Sequence, residues 1–213
     1  QGNPTAPAGH FNSLTLNGTV KVSVAAAGLT PGQFPVIHYG ALVGSGSFVV
    51  GQLPQGVVAS IVTNTVASTL DLVVSEVAPL VWSAAESFSW DLTSTNWLLK
   101  GSPARFEQGD AVLFDDTAAS PGVSLALSLA PSGVVVSNSI LDYVFLGSGS
   151  LSGSMSLVKD GTGTLTLNTS NSFSGTVTIK QGTIVAGNNA ALGSTAGATL
   201  VENGATLDGN AKN

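Results

Sequence analysis

Few residues in this chain could carry chemistry, and they fall into three groups. The densest acidic cluster is Glu107, Asp110, Asp115 and Asp116. Carboxylates gathered this closely suit Ca²⁺, which takes several oxygen ligands, or acid–base cleavage of a polysaccharide. Their spacing matches neither an EF-hand loop nor a Gly-Gly-x-Gly-x-Asp calcium repeat. Solvation of a turn is therefore the plainer reading, with Asp110, Asp115 and Asp116 standing as candidate calcium ligands. The three tryptophans, Trp82, Trp90 and Trp97, could offer flat faces to sugar rings or to a partner protein, or could fill a break in the fold, each burying up to about 250 Å². The only imidazoles are His10 and His38, far apart along the chain with no cysteine or carboxylate near them in sequence. That separation predicts neither a metal site nor a catalytic triad, and no Gly-x-Ser-x-Gly elbow precedes a helix. Gly44-Ser45-Gly46 and Gly147-Ser148-Gly149 likewise lack the following helix that would receive a phosphate. No cofactor is expected.

The composition explains why chemistry is so sparse. Of 213 residues only 8 % are charged, against roughly a quarter in an ordinary globular chain, while Ser (27), Thr (20) and Gly (26) are abundant. Apolar residues make up 43 %, enough for a core. Six basic residues against twelve acidic ones leave no positive patch to follow phosphates, which excludes nucleic acid as a partner and disfavours anionic lipid. Mean hydropathy is +0.38, yet no run of about 18 apolar residues spans a bilayer. With no cysteine, disulfides and thiolate metal sites are excluded, and stability must come from architecture. The opening Gln1-Gly2-Asn3-Pro4 shows no signal peptide and reads as a mature start or an excised fragment.

The elements that must position these residues are strands. Helical periodicity is nearly missing, whereas Leu14-Thr15-Leu16, Val20-Lys21-Val22, Leu70-Asp71-Leu72, Leu165-Thr166-Leu167 and Val177-Thr178-Ile179 are short, β-rich and punctuated by Gly, Asn, Ser or Pro. The fold class is all-β. From residue 163 onward a Gly-Thr-x-Leu-like phrase returns about every 20 residues, a period suited to a β-solenoid whose stacked coils bury one aliphatic column. Outward Thr and Ser tolerate like neighbours about 4.8 Å away, where charges would repel. The competing all-β reading is a β-sandwich, with Asn17-Gly18 and Asn203-Gly204 as its hairpin signals, and it stands as the alternative for residues 1–78. Asn171 and Asn188-Asn189 are expected at corners.

Residues 79–122 stand apart, holding all three Trp, the only Arg (Arg105) and half of the acids, with Pro79, Pro103 and Pro121 spread along them. Within this stretch, Trp82-Ser83-Ala84, Trp90-Asp91-Leu92, Asn96-Trp97 and Gly109-Asp110-Ala111-Val112-Leu113-Phe114-Asp115-Asp116 resemble the opening of a repeat unit of bacterial surface proteins with autotransporter-associated β-strand repeats. Downstream, Leu157-Val158-Lys159-Asp160-Gly161-Thr162-Gly163-Thr164-Leu165-Thr166-Leu167 and Asn171-Ser172-Phe173-Ser174-Gly175-Thr176-Val177-Thr178-Ile179 resemble their passenger-associated segment. The resemblance implies a right-handed parallel β-helix, secreted or displayed at the outer membrane of a bacterium, and it implies no catalytic residue.

The chain is thus expected to comprise the β-rich end of one repeat unit (1–78), a Trp- and Asp-containing junction (79–122) and coils of the next unit (123–213). A non-catalytic stalk, fibre element or adhesin repeat is the expected role, with neighbouring repeats or further copies as end-to-end partners and surface glycans as a further one. A carbohydrate-binding module using the Trp region, and a β-helix polysaccharide-degrading enzyme, are the alternatives.

Overall fold

The computed structural model describes residues 3–25 and 28–209, and among these it contains strands and turns but no helix. Gln1 and Gly2, read above as part of the chain's opening, lie outside the described residues. The chain divides into two compact units, residues 1–78 and 79–213.

The first unit holds β1 (Gly9–Leu16), β2 (Thr19–Val22), β3 (Gly32–Gly44), β4 (Ser47–Val50), β5 (Val57–Asn64) and β6 (Thr69–Val77). Strand β1 pairs in parallel with β3 and β2 with β4, Leu14 facing Leu42 and Val20 facing Phe48. Because β1 and β2 lie in different sheets, Asn17-Gly18 is a corner and not the hairpin turn that the sandwich alternative required. The next corner, Gly44-Ser45-Gly46, packs directly over it. A Cβ on Gly46 would stand 2.3 Å from the Gly18 carbonyl oxygen, so only glycine allows this approach. The chain then reverses its pairing. Strands β5 and β6 form an antiparallel hairpin that lies against β3, giving the sheet order β1-β3-β6-β5. This mixed sheet encloses a small core of Leu29, Phe34, Leu72 and Val74.

The second unit opens with β7 (Leu80–Trp82), β8 (Ser89–Trp90), β9 (Trp97–Leu99) and β10 (Ser102–Ala104). It continues with β11 (Ala111–Asp115), β12 (Gly122–Leu125), β13 (Ser128–Leu129), β14 (Gly133–Ser137), β15 (Tyr143–Leu146) and β16 (Ser150–Leu151). The last strands are β17 (Ser156–Asp160), β18 (Thr164–Leu167), β19 (Val177–Ile179), β20 (Thr183–Ala186), β21 (Thr199–Val201) and β22 (Thr206–Asp208). Strands β7, β11, β14, β17, β19 and β21 line up in parallel in one sheet. Strands β8, β12, β15, β18, β20 and β22 do the same in a second, while β13 and β16 pair in a third. From β11 onward the register steps stay close to the period read from the glycine phrases, the longest joining Gly133 to Ser156 and Thr183 to Thr206 and the shortest Thr164 to Thr183. Asn203-Gly204, the other hairpin signal, is again a corner, since β21 and β22 belong to different sheets.

Strand alternation produces this stacking. Val112, Val134, Leu157 and Val177 face inward one above another, and Val123, Phe145 and Leu167 form the matching row across the interior. All seven are buried, each side chain contributing about 1.5–3 kcal/mol. The intervening Ser124, Thr166 and Thr178 are half-buried on the outer face, where a hydroxyl can accept solvent.

Residues 79–122 are not a separate irregular junction. Strands β7, β8, β11 and β12 already belong to the two long sheets. What is irregular is the hairpin β9–β10, which pairs antiparallel to β7 and finishes the sheet on that side. Its outermost strand is three residues long and carries Pro103, two features that blunt an open edge.

Candidate functional site

The three tryptophans come together inside the second unit, under the β9–β10 hairpin. Trp82, Trp90 and Trp97 are all 0 % exposed. Trp97 meets Trp82 edge-to-face at 4.9 Å between ring centroids and Trp90 at 5.1 Å, while Phe106 and Phe114 close the cluster. Edge-to-face contacts of this kind add about 0.5–1.5 kcal/mol to area burial. The Trp82 indole N–H donates to the Ser120 carbonyl at 3.3 Å, whereas the indole nitrogens of Trp90 and Trp97 are buried without an acceptor. No indole face is turned outward, so in this fold the cluster plugs the stack and presents no platform for a sugar ring.

Around the plug, polar residues hold the loops. Asn96 is wholly buried, and its side-chain oxygen accepts the backbone N–H groups of Glu86 and Ser87 while its amide donates to Ser87 Oγ and the Ser89 carbonyl. Asp91 accepts the N–H groups of Thr93 and Ser94, both at 2.7 Å. Burial of Asp91 acts to raise its pKa, but these bonds outweigh it and hold the carboxyl well below the usual range.

The candidate calcium ligands do not converge. The length of β11 separates Asp110 from Asp115 by about 17 Å at 3.3 Å per residue. Asp110 accepts the Glu107 N–H at 2.7 Å, and Asp115 caps its own turn by accepting from Thr117. Asp116 reaches to the next level, accepting the N–H groups of Ser139, Ile140 and Leu141 at about 2.9 Å. These oxygens serve three separate turns. Among the described residues, no group of three or more His, Asp or Glu side chains is placed to hold a metal ion.

The N–H groups of Leu141 and Ile140 lower the pKa of Asp116. A carboxylate depressed in the folded state stabilises the fold above its unfolded value, near 3.9, and that contribution disappears as pH falls through the folded value. Stability is therefore expected to be flat above about pH 5 and to fall below about pH 4, as thermal melts between pH 2 and 7 will show. Asp116→Ala is expected to flatten this acid limb and to speed amide exchange at residues 139–141.

Two buried polar side chains, Lys159 and Asn171, lie within the passenger-like segment but outside the groups read as candidate sites. Lys159 is 0 % exposed, standing in the interior row between Val136 and Ile179. Its ammonium donates to the carbonyls of Asp160 and Gly161, both at 2.7 Å, and desolvation lowers its pKa. The signal is present in sequence, because Lys159 follows Leu157 by two positions and must share its face. Asn171 sits between levels, as a corner residue should: its oxygen accepts the Leu151 N–H and its amide donates to the Ala191 carbonyl.

In the first unit, the parallel register of β1 and β3 places His10 opposite His38. Their ring centroids are 5.2 Å apart with the planes tilted by 39°. The two imidazoles expected to be isolated are therefore neighbours, because their separation along the chain equals the register step between β1 and β3. A cleft of about 390 Å³ also opens in this unit, lined mainly by Leu14, Leu16, Val20, Val22, Ile37 and Phe48. It holds no carboxylate or imidazole and so offers no acid–base pair.

Comparison with known families adds one assignment. Residues 157–186 match the passenger-associated-transport-repeat, in the segment whose Lys-Asp-Gly-Thr-Gly-Thr-Leu-Thr-Leu phrase carries the resemblance noted from the sequence. The matched residues run from the inward Leu157 through β18 and β19 to the end of β20. No curated protein and no solved structure matches the chain significantly.

Proposed function

We propose that this chain is a non-catalytic structural segment of a secreted or surface-displayed bacterial protein of the autotransporter type, serving as a stalk, fibre element or adhesin repeat. In this reading the second unit is a parallel β-solenoid, right-handed as in the family it resembles, and its product is length. Six levels at about 4.8 Å spacing extend it by about 24 Å, and repetition of such units sets reach. Neighbouring repeats of the parent protein, or further copies, are the partners this architecture calls for.

One observation carries the reading: two uninterrupted ladders of in-register parallel strands, β11 to β21 and β12 to β22, enclosing a largely apolar interior. The passenger-associated repeat within those ladders supports passenger identity and export to the surface. Asp91, Asp110, Asp115 and Asp116 are engaged with backbone N–H groups, which favours architecture over bond cleavage.

Deletion of whole levels tests the proposal. Removing residues 134–156 brings Leu157 into the place of Val134, because those residues are register partners. This variant is expected to keep a cooperative melt and a β-sheet circular dichroism spectrum. Removing only residues 134–144 puts the following strands out of phase and is expected to abolish the transition. Equal damage from both deletions would contradict a modular stack.

A further inference from the structure

We infer that His10 and His38 form a zinc site on one face of the β1–β3 pair in the first unit. The two side chains project from adjacent parallel strands in register and share one face of the sheet. Zinc is held by imidazole nitrogens at about 2.0–2.1 Å, usually in tetrahedral geometry. Adding about 1.1–1.2 Å from nitrogen to ring centre, two imidazoles at the tetrahedral angle place their centroids about 5.2 Å apart; a right angle gives about 4.5 Å. The observed separation is 5.2 Å. The pair is thus spaced for one tetrahedral ion, and β1–β3 pairing holds that spacing on strands rather than on mobile loops.

The surroundings define the rest of the coordination. Thr69 of β6 lies across from His38, but its hydroxyl is committed to Asp71 at 2.6 Å. Asp71 also accepts from Gln33 at 2.7 Å and Asn64 at 3.3 Å, so this nearest acid of β6 is engaged in its own cluster. His10 is exposed and His38 half-buried, which leaves water free to fill the two remaining positions. Imidazole donors with water select zinc, copper and nickel over calcium and magnesium, which prefer all-oxygen sets. Bound zinc links β1 to β3 across the corner and loop between them, and so stabilises the folded first unit in proportion to its occupancy. This inference stands independently of the proposed structural role.

Titration of zinc chloride into the 213-residue chain by isothermal calorimetry tests the site. One zinc per chain is expected, with a rise in melting temperature and no heat from calcium chloride under the same conditions. His10→Asn and His38→Asn are each expected to weaken binding by at least about 100-fold, more than loss of an outer-shell partner produces. Both changes are at accessible positions, and unchanged circular dichroism will show that each variant folds. Binding that survives both substitutions, or the absence of saturable zinc uptake by the parent chain, would overturn the assignment.

Discussion

Trp97→Ala is expected to destabilise the second unit by about 3–5 kcal/mol, the range for truncating a buried Trp or Phe. Native domains hold only about 5–15 kcal/mol in total, so the variant should be partly unfolded at about 37 °C. Trp97 belongs to β9 and pairs with Trp82 of β7, so its loss opens a cavity where the hairpin joins the first level. The same indole touches Trp82, Trp90, Phe106 and Phe114, and each of these loses a ring contact. Trp97→Phe should cost much less. It keeps an aromatic ring and removes a buried N–H that has no acceptor, so no polar partner is orphaned. Urea denaturation followed by circular dichroism will rank the three proteins. An Ala variant as stable as the parent would mean that the cluster does not close the stack.

Gly175→Ala is expected to cost more than about 3 kcal/mol, the upper end for overpacking, because the added methyl group meets backbone instead of a movable side chain. Its Cβ would stand 2.1 Å from the Met155 carbonyl oxygen and 2.5 Å from the Met155 carbonyl carbon, both in the level before. Gly197 repeats the arrangement one level later, 2.4 Å from the Gly175 oxygen. Relief therefore requires levels to separate. Gly133→Ala is the internal control: the nearest atom to its Cβ is 3.9 Å away, and its change should stay within about 1 kcal/mol. Comparable melting temperatures for the two variants would show that the levels are not in close register.

Much of the second unit is legible in the sequence. Gly-Thr-Leu-Thr-Leu dictates a strand with Leu165 and Leu167 inward, and the recurring glycines mark corners where levels approach too closely for a side chain. The first unit is less transparent for a physical reason. Its register step, from His10 to His38, is spanned by β1, β2 and a connecting loop and occurs only once, so no period can emerge. Asn17-Gly18 suits a hairpin turn and a solenoid corner equally well, and only the partner of β1 decides between them. The reversal at β5–β6 depends on where an antiparallel hairpin stops a parallel pair, which alternation alone does not encode.

The site residues divide in the same way. Tryptophan is amphipathic in isolation, so three of them read as platform or plug until their neighbours are known; burial against Phe106 and Phe114 decides in favour of the plug. Asp110, Asp115 and Asp116 resemble a cluster because they are close in sequence, yet an extended strand carries its ends far apart. Conversely, His10 and His38 look remote because sequence distance conceals register. A strand ladder separates near neighbours along the chain and joins residues one step apart.

Distances between paired spin labels test the stacked-level account most directly. The chain has no native cysteine, so labels attach only where cysteine is introduced. Leu113, Val135, Val158, Thr178 and Leu200 are successive register partners on the outer face, four steps from first to last. Cysteines at 113 and 178 should give a backbone separation of about 14 Å, and at 113 and 200 about 19 Å, a growth of about 4.8 Å per step. A separation that fails to grow with the number of steps, or one between 113 and 200 far longer than four strand spacings, would contradict the stack and the structural role built on it.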